Sequence, residues 1–562
     1  MTEFFQGGPQ LGNQYDDDSL LQAYLRWRLP SAMRDEIEPG LRRLGARAAT
    51  DILALGDAAE ADPPRHVPFD AWGQRVDRIE TSPAWQALDR ISAEEGLVAI
   101  GYERRHGALS RIDQFARLYL FSPSSATYSC PLAMTDGAAR CLELYGGAEL
   151  TERMLPHLTS RDPARFWTSG QWMTERTGGS DVSLTSTIAA RDGRGYRLHG
   201  TKWFTSATTA QVALTLARIE GAPSGSKGLS LFAIELRDAD GMLRNIRVHR
   251  LKEKLGTRAL PTAELSLEGT PAILVGEPGD GVRKIAALLN ITRLYNACAA
   301  VAGMRRAIAL ARDYARRRNA FGKRLIDHPL HVRTLARLEV ECEAGFHLVF
   351  RAIELLGKEE VGEATPSESA QLRLLTPVVK LYTGKQAVAV ASEAIEAFGG
   401  VGYIEDSGLP RLLRDAQVLS IWEGTTNVLS LDVLRAMERA DALEPLLADS
   451  CARLDRAKGQ ELAESVTRTR SAVERLRLLV RRSASASSDE REAGARSLSY
   501  GIARTAAAGL LLEHAAWRAQ TDGDRRSGIV ARRWCAGELL PPIDVGEAGR
   551  AEDRLLMGPD SR

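Results

Sequence analysis

The chain has 562 residues, with 74 Lys and Arg against 73 Asp and Glu, a formal charge of +1. That length exceeds one hydrophobic core and predicts three or four domains. The balanced charge gives no global electrostatic case for nucleic acid or an anionic membrane surface.

Residues 1 to about 35 read as an extension. The acidic run Asp16-Asp17-Asp18 suits the start of a helix over Leu20 to Arg28, which stops at Leu29-Pro30. From Ser31 to Leu158 apolar residues recur at helical steps, among them Leu41, Leu44, Ala48, Ile52 and Leu53. An irregular stretch, Asp62 to Asp70, breaks the pattern. Helix resumes after Ser82-Pro83, where Ser82 can cap and Pro83 fits the first turn. Near Phe166 the period becomes that of strands. Val182 to Ile188 reads as a strand, Asp192 to Gly195 as a turn and Tyr196 to Leu198 as the return. Val212 to Ala217, Leu229 to Ile234, Ile246 to Val248 and Ala263 to Leu267 complete a small, mostly antiparallel β domain. From Gly281 long helices run to about residue 440, with a polar loop at Glu359–Ser369. A last helical segment is Arg-rich and breaks weakly at Ser483–Ser488. The expected domains are 1–165, 166–277, 278–440 and 441–562.

Met1 to Phe5 has no basic region before a long apolar run, so no signal peptide is expected. Runs such as Ala297–Ala302 are too short to span a bilayer, and no membrane partner is expected. The six cysteines show no C-x-x-C spacing, and the nine histidines form no H-E-x-x-H. Reduced thiols, a cytoplasmic setting and no metal follow as expectations.

Four stretches can carry chemistry. Met173 to Asp181 combines Thr174 and Ser180 hydroxyls with Gly178-Gly179, whose backbone can approach a ligand closely; ordinary Gly-Ser loops look the same. Lys202-Trp203-Phe204-Thr205-Ser206 offers a planar cofactor an aromatic wall and hydroxyls, or is a buried strand end. Arg316 to Lys323 places Arg318 and Phe321-Gly322 at a helix end. An arginine there can pair with pyrophosphate, or simply answers the helix dipole. Ser420 to Asn427 carries one carboxylate, Glu423, between Trp422 and Gly424. Trp422 and Ile421 would desolvate it, which disfavours the charged form and makes a better general base; a solvated loop glutamate is the alternative.

Taken together, in this order, these motifs resemble the acyl-CoA dehydrogenase flavoproteins over roughly residues 80–440. T-E-x-x-x-G-S-D falls at Thr174 to Asp181, R-x-x-F-G at Arg318 to Gly322, F-G-G-x-G-Y at Phe398 to Tyr403 and E-G-T at Glu423 to Thr425. Phe69 to Asp77, Pro83-Ala84-Trp85 and Cys130 to Thr135 are similar to the AidB-like branch. The resemblance implies an α+β multidomain fold: an N-terminal helical domain, a central antiparallel β domain, a C-terminal four-helix bundle and an added helical domain.

The resemblance also implies non-covalent FAD in a homotetramer. Met173, Thr174, Gly179, Ser180, Phe204, Thr205 and Ser206 would line the isoalloxazine region. Arg318 and Phe321 would reach the adenine-dinucleotide part from a neighbouring subunit. Gly399, Gly400, Trp422, Thr425 and Asn427 would close over the cofactor. Ser180, Arg293 and Gly424 would meet an acyl-CoA or fatty-acyl substrate. The implied reaction is α,β-dehydrogenation, Glu423 taking the α-proton while the β-hydrogen leaves as hydride to the flavin. Some members carry the base on an earlier helix, where this chain has Thr292-Arg293, and threonine cannot serve. An electron-transfer flavoprotein is the implied redox partner. The AidB-like branch also includes DNA-associated proteins with weak dehydrogenase activity. Thr467 to Arg482 bears on that, with Arg468, Arg470, Arg475, Arg477, Arg481 and Arg482 against Glu474. Val473, Leu476, Leu479 and Val480 would form its buried face. A phosphate-facing stripe or a solvated helix face both fit.

Overall fold

The computed structural model describes residues 6–483, 486–543 and 547–558. Contacts divide the chain into Leu11–Ala302 and a second unit of Met1–Gln10 with Gly303–Arg562. The signal-peptide reading of residues 1–5 and the centre of the break at 483–488 lie outside the described residues.

The first unit opens with α1 (Ser19–Arg28), capped by Asp18, whose side chain accepts from the Leu21 amide at 2.9 Å. α2 (Ser31–Arg47) and α3 (Asp51–Ala61) follow. The stretch read as irregular is instead an antiparallel hairpin, β1 (Arg65–Phe69) and β2 (Arg75–Glu80). Prolines masked it in the sequence. The Asp70 carboxylate accepts from the Trp72 and Gln74 amides and folds the turn, while Asp77 gathers His66 and Arg75 at 2.8 Å each. α4 (Pro83–Glu94) starts as expected, with Ser82 accepting from the Trp85 amide and Pro83 in the first turn. α5 (Ile100–Glu103), α6 (Ser110–Phe121), α7 (Ser129–Tyr145) and α8 (Gly147–Leu158) complete the helices before the sheet.

The sheet contains β3 (Ser169–Trp172), β4 (Ile188–Asp192), β5 (Gly195–Ser206), β6 (Val212–Ile219), β7 (Leu229–Glu235), β8 (Ile246–Leu251) and β9 (Thr262–Leu274). Its order is β3-β6-β4-β5-β9-β7, and β7 pairs back onto β6, so the path closes; β8 lies outside on β9. β3 and β4 run parallel to β6, and the remaining pairs are antiparallel. Trp172, Leu198, Ala213, Phe232, Ile234 and Leu265 fill one face. Leu214, Leu216, Leu229 and Leu231 pack on the other with Leu150, Met154 and Leu288. The predicted strand over Val182 to Ile188 is corrected: Val182–Leu184 is a 3-10 turn and the strand starts at Ile188. The short β3, with glycine at its second position, gave no readable period.

α9 (Gly281–Arg317) runs from the first unit into the second. It is long and apolar enough to cross a membrane, but 67% of its apolar window is buried within the protein. In the second unit β10 (Asn319–Ala320) and β11 (Lys323–Arg324) make a small hairpin. α10 (Pro329–Glu360) and α11 (Pro366–Ala397) follow, separated by the polar loop the sequence predicts. Thr365 and Glu368 close a reciprocal capping box on α11. α12 (Leu409–Leu419) and α13 (Thr426–Ala440) complete the bundle. The added region holds α14 (Leu443–Arg456), α15 (Ala463–Ser483), α16 (Ser488–Thr521), α17 (Arg526–Ala536) and α18 (Glu547–Leu556).

Candidate active site

In the first unit, the loop after β3 is built around a residue that sequence reasoning passed over. Glu175 is 3% exposed and faces Lys202, 0% exposed, with Nζ to Oε1 at 2.8 Å. The Ser186 amide and hydroxyl donate to one carboxylate oxygen, the Thr187 amide and hydroxyl to the other. Lys202 also donates to the Leu216 carbonyl at 2.9 Å. Burial alone would raise the Glu175 pKa, but Lys202 and the Ser186 and Thr187 hydrogen bonds outweigh it and hold it at about 2. Burial also pulls the Lys202 pKa down. With a carboxylate and a carbonyl in contact, the ammonium keeps its charge. This pair ties the loop Met173 to Asp181 to β5 and to the start of β4. It also explains why residues 182–187 leave the strand path. The readable signal was a lysine at the inward position of an alternating strand.

One extra residue on β5 between Lys202 and Thr205 bulges the strand against β9. The bulge turns Trp203 half outward and leaves Phe204 53% exposed. The Trp203 amide donates to the Thr174 carbonyl at 2.9 Å, which brings the two motifs together. Lys252 Nζ stands 4.2 Å from the Phe204 ring centroid and 4.6 Å from that of Trp203. Met173 is buried, Thr174 and Ser206 are half-buried, and Gly179 and Ser180 are exposed. The Ser206 hydroxyl meets that of Thr262 at 3.1 Å. Thr205 is fully buried and its hydroxyl donates to the Ala263 carbonyl at 2.8 Å, so that group faces the sheet. On α9, Thr292 is buried with its hydroxyl on the Leu289 carbonyl, and Arg293 is half-buried.

In the second unit, Glu423 occupies a left-handed conformation, φ 58°, and Gly424 follows at φ 109°. A non-glycine residue there costs on the order of 1 kcal/mol or more and persists only where its surroundings impose it. At Gly424 a side chain would be strained by the positive φ, and a β-carbon would press on the Leu429 side chain at 2.9 Å. Glu423 and Trp422 are half-buried, but Ile421 is 58% exposed and does not back the carboxylate, contrary to the reading from sequence. Chain direction sends it outward as α12 ends. Thr425 caps α13 through its hydroxyl and the Val428 amide, and Asn427 is exposed in the first turn. A second residue missed in the sequence, Lys380 of α11, is fully buried and donates to the Gly424 carbonyl at 2.6 Å. Its signal was one charge inside the run Val378-Val379-Lys380-Leu381.

The Phe321-Gly322 pair forms the two-residue turn of the β10–β11 hairpin, with φ 51° and 81°. Two positive φ values match the twist of a tight hairpin and present Phe321 at 97% exposure. Arg318 is half-buried at the end of α9, its carbonyl accepting from the Leu325 amide at 2.8 Å. Gly399 and Gly400 are exposed on a 3-10 turn that follows Phe398, which stacks on Tyr314 at 4.5 Å. Among the described residues no group of three or more His, Cys, Asp or Glu side chains is arranged to hold a metal.

Four family models match in sequence. They are the adaptive response protein AidB N-terminal domain at 9–163, the acyl-CoA dehydrogenase middle domain at 170–270, its C-terminal domain at 279–438 and the acyl-CoA dehydrogenase 11 C-terminal domain-like model at 442–554. Acyl-CoA dehydrogenase family member 11 of Caenorhabditis elegans is 46% identical over 98% of this chain and 91% of its own length. The putative acyl-CoA dehydrogenase AidB of Escherichia coli (strain K12) is 34% identical over 75% of this chain and 77% of its own. The crystal structure of Caenorhabditis elegans ACDH-11 in complex with C11-CoA superposes with a TM-score of 0.96 at 44% identity, covering 100% of this chain and 98% of that one. The chain therefore belongs to the acyl-CoA dehydrogenase family, in the group that pairs its domains with an AidB-type N-terminal domain, and is an oxidoreductase acting on CH–CH donors.

Proposed function

We propose that the protein is an FAD-dependent acyl-CoA dehydrogenase that oxidises an acyl-CoA thioester between its α and β carbons, with Glu423 as the base. The observation that carries this is the Glu423-Gly424 turn, a carboxylate kept half-buried on strained backbone above a helix cap. Bound FAD would supply the hydride acceptor. In the first unit the Thr174, Ser180 and Ser206 hydroxyls and the outward Phe204 ring are groups that suit a flavin, and in the second unit Arg318 is of the type that pairs with a pyrophosphate. On this reading Glu423 removes the α-proton, and Gly424 lets the backbone approach the thioester. A C11-CoA complex of a close relative supports a medium-length acyl-CoA as substrate.

Purified protein should be yellow and release FAD, rather than FMN, on heating. Arg318→Ala should raise the fraction of apoprotein after gel filtration, because it removes the charge facing the phosphates. Colourless protein that takes up no added FAD would reject the proposal. A homotetramer belongs to the same reading, supported by the exposed apolar side chains of Phe321, Val401, Tyr403 and Ile404. So do an electron-transfer flavoprotein as acceptor and a cytoplasmic setting, the latter in keeping with cysteines that are free of disulfides among the described residues.

DNA through α15 finds little support. Arg468 pairs with Glu464 at 2.9 Å, Arg470 with Asp455, and Arg477 with both Glu444 and Glu474 at 2.5 Å, so much of the stripe is already neutralised. Val473 and Leu476 are buried as expected, Leu479 and Val480 half-buried. Reversing Arg475 and Arg482 to Glu is expected to leave duplex retention in a salt series unchanged. A clear loss on reversal would favour a DNA role.

A further inference from the structure

The Glu423 turn is gripped by one helix at two points a single helical turn apart. At Gly384 of α11 a β-carbon would lie 2.6 Å from the Leu419 carbonyl oxygen and 3.4 Å from the Ser420 amide nitrogen. The end of α12 therefore rests directly on the α11 backbone, and only glycine leaves room for it. Four residues earlier on the same face, Lys380 sends its ammonium to the Gly424 carbonyl at 2.6 Å. Lys380 is 0% exposed. Burying an ammonium is costly unless it is hydrogen-bonded, and the Gly424 carbonyl supplies such a bond. Between the two anchors, Leu419 and Gly424, the chain must turn within Ser420 to Glu423, and it does so by placing Glu423 at φ 58°. Tension between two fixed points is what holds a side chain in a conformation it would otherwise leave.

We propose that Lys380 is a positioning residue for proton abstraction: its ammonium fixes the Gly424 carbonyl so that the preceding residue, Glu423, is held in its left-handed conformation with the carboxylate aimed at the substrate. The inference rests on the reading of Glu423 as the base. It needs no contact between Lys380 and substrate or cofactor. Lys380→Met removes the donor and the charge at nearly constant volume. Lys380→Gln keeps an N–H donor for the carbonyl.

The test uses stopped-flow anaerobic flavin reduction of the FAD-loaded full-length enzyme with C11-CoA as probe, beside its dissociation constant from the flavin spectral shift. Lys380→Met should slow reduction by about tenfold or more with the dissociation constant within about twofold, since a misaimed base impairs the step and not the binding. Lys380→Gln should recover a good part of that loss. Amides of residues 420–427 should exchange faster in Lys380→Met than in wild type, and those of the first unit should not. A wild-type rate in Lys380→Met overturns the proposal. So does a parallel loss of rate, affinity and melting temperature that glutamine does not recover, which is the signature of a merely structural lysine. Should Lys380→Met fail to fold, Gly384→Ala decides, because it displaces the same turn from the other anchor. Slowed reduction at unchanged affinity supports the proposal, and wild-type reduction overturns it. Glu423→Gln is run alongside: if it reduces at the wild-type rate, the base assignment has failed; if it alone is dead, only the role of Lys380 has.

Discussion

Replacing Glu423 with Gln is expected to slow flavin reduction by acyl-CoA by about a hundredfold or more, with FAD content and the acyl-CoA-induced spectral shift retained. Glutamine keeps the size of the side chain and its hydrogen-bonding capacity, so the turn Ser420 to Thr425 should survive. What it loses is the ability to accept a proton. An α-proton beside a thioester is weakly acidic, and its removal needs a base at hydrogen-bonding reach and stabilisation of the developing enolate oxygen. Glu423→Asp should recover a little of the rate, limited by a side chain one methylene shorter. Single-turnover kinetics separate these cases from a defect in binding. Wild-type reduction in Glu423→Gln would show that another residue takes the proton. The alternative position on α9 is filled by Thr292, whose hydroxyl is already donated to the Leu289 carbonyl.

The largest loss of stability should come from Lys202→Met, which strands the Glu175 carboxylate in the sheet core. Breaking a buried pair from one side costs about 3–5 kcal/mol, because the surviving charge is uncompensated. Lys202→Met with Glu175→Gln should be less damaging than Lys202→Met alone, a coupling that urea unfolding of the two single variants and the double would measure. The pair also sets an acid limit. Glu175 has a folded pKa of about 2 against an ordinary 4.5, so its ionised form favours the folded state. That contribution, on the order of 3 kcal/mol, is complete above pH about 4.5 and is lost as pH falls toward about 2. In Lys202→Met the Ser186 and Thr187 hydrogen bonds remain but the cation does not, so the folded pKa rises toward the ordinary value and less stability is lost between pH about 4.5 and about 2. Coincident acid unfolding of the two proteins would count against this account. The variant should also lose FAD more readily, because the same pair anchors the loop bearing Thr174 and Ser180.

Local chemistry made much of this architecture readable. Ser82-Pro83 starts a helix because a hydroxyl acceptor and a fixed φ are both supplied there, and the Val212 and Leu229 runs pair as strands because both their faces are buried. Long-range demands were not readable. The hairpin at Arg65–Glu80 is held by Asp77 and by Arg75 donating to the Val248 carbonyl, 173 residues away in sequence. Val182 to Ile188 alternates like a strand, yet Glu175 captures the Ser186 and Thr187 amides and diverts the chain. The motifs around Glu423 and Arg318 named individual residues and not their settings. Neither disclosed that Ile421 faces outward, that Phe321 tips a hairpin, or that Lys380 reaches the Gly424 carbonyl from 44 positions upstream.

The added C-terminal helices meet α11 close to that lysine. Arg504 of α16 donates to the Tyr382 hydroxyl at 3.0 Å, and Tyr382 donates to Glu341 of α10 at 2.5 Å. The Arg504 guanidinium also lies 4.5 Å from the Trp534 ring centroid of α17. Two sequence modules thus share one polar knot. A fragment ending at residue 440 would keep Glu341 and Tyr382 but lose the cation that completes them, and would bare the apolar surfaces that α14 and α16 cover. A substitution at Arg504 or Trp534 would then be felt along α11, the helix on which the Glu423 turn rests.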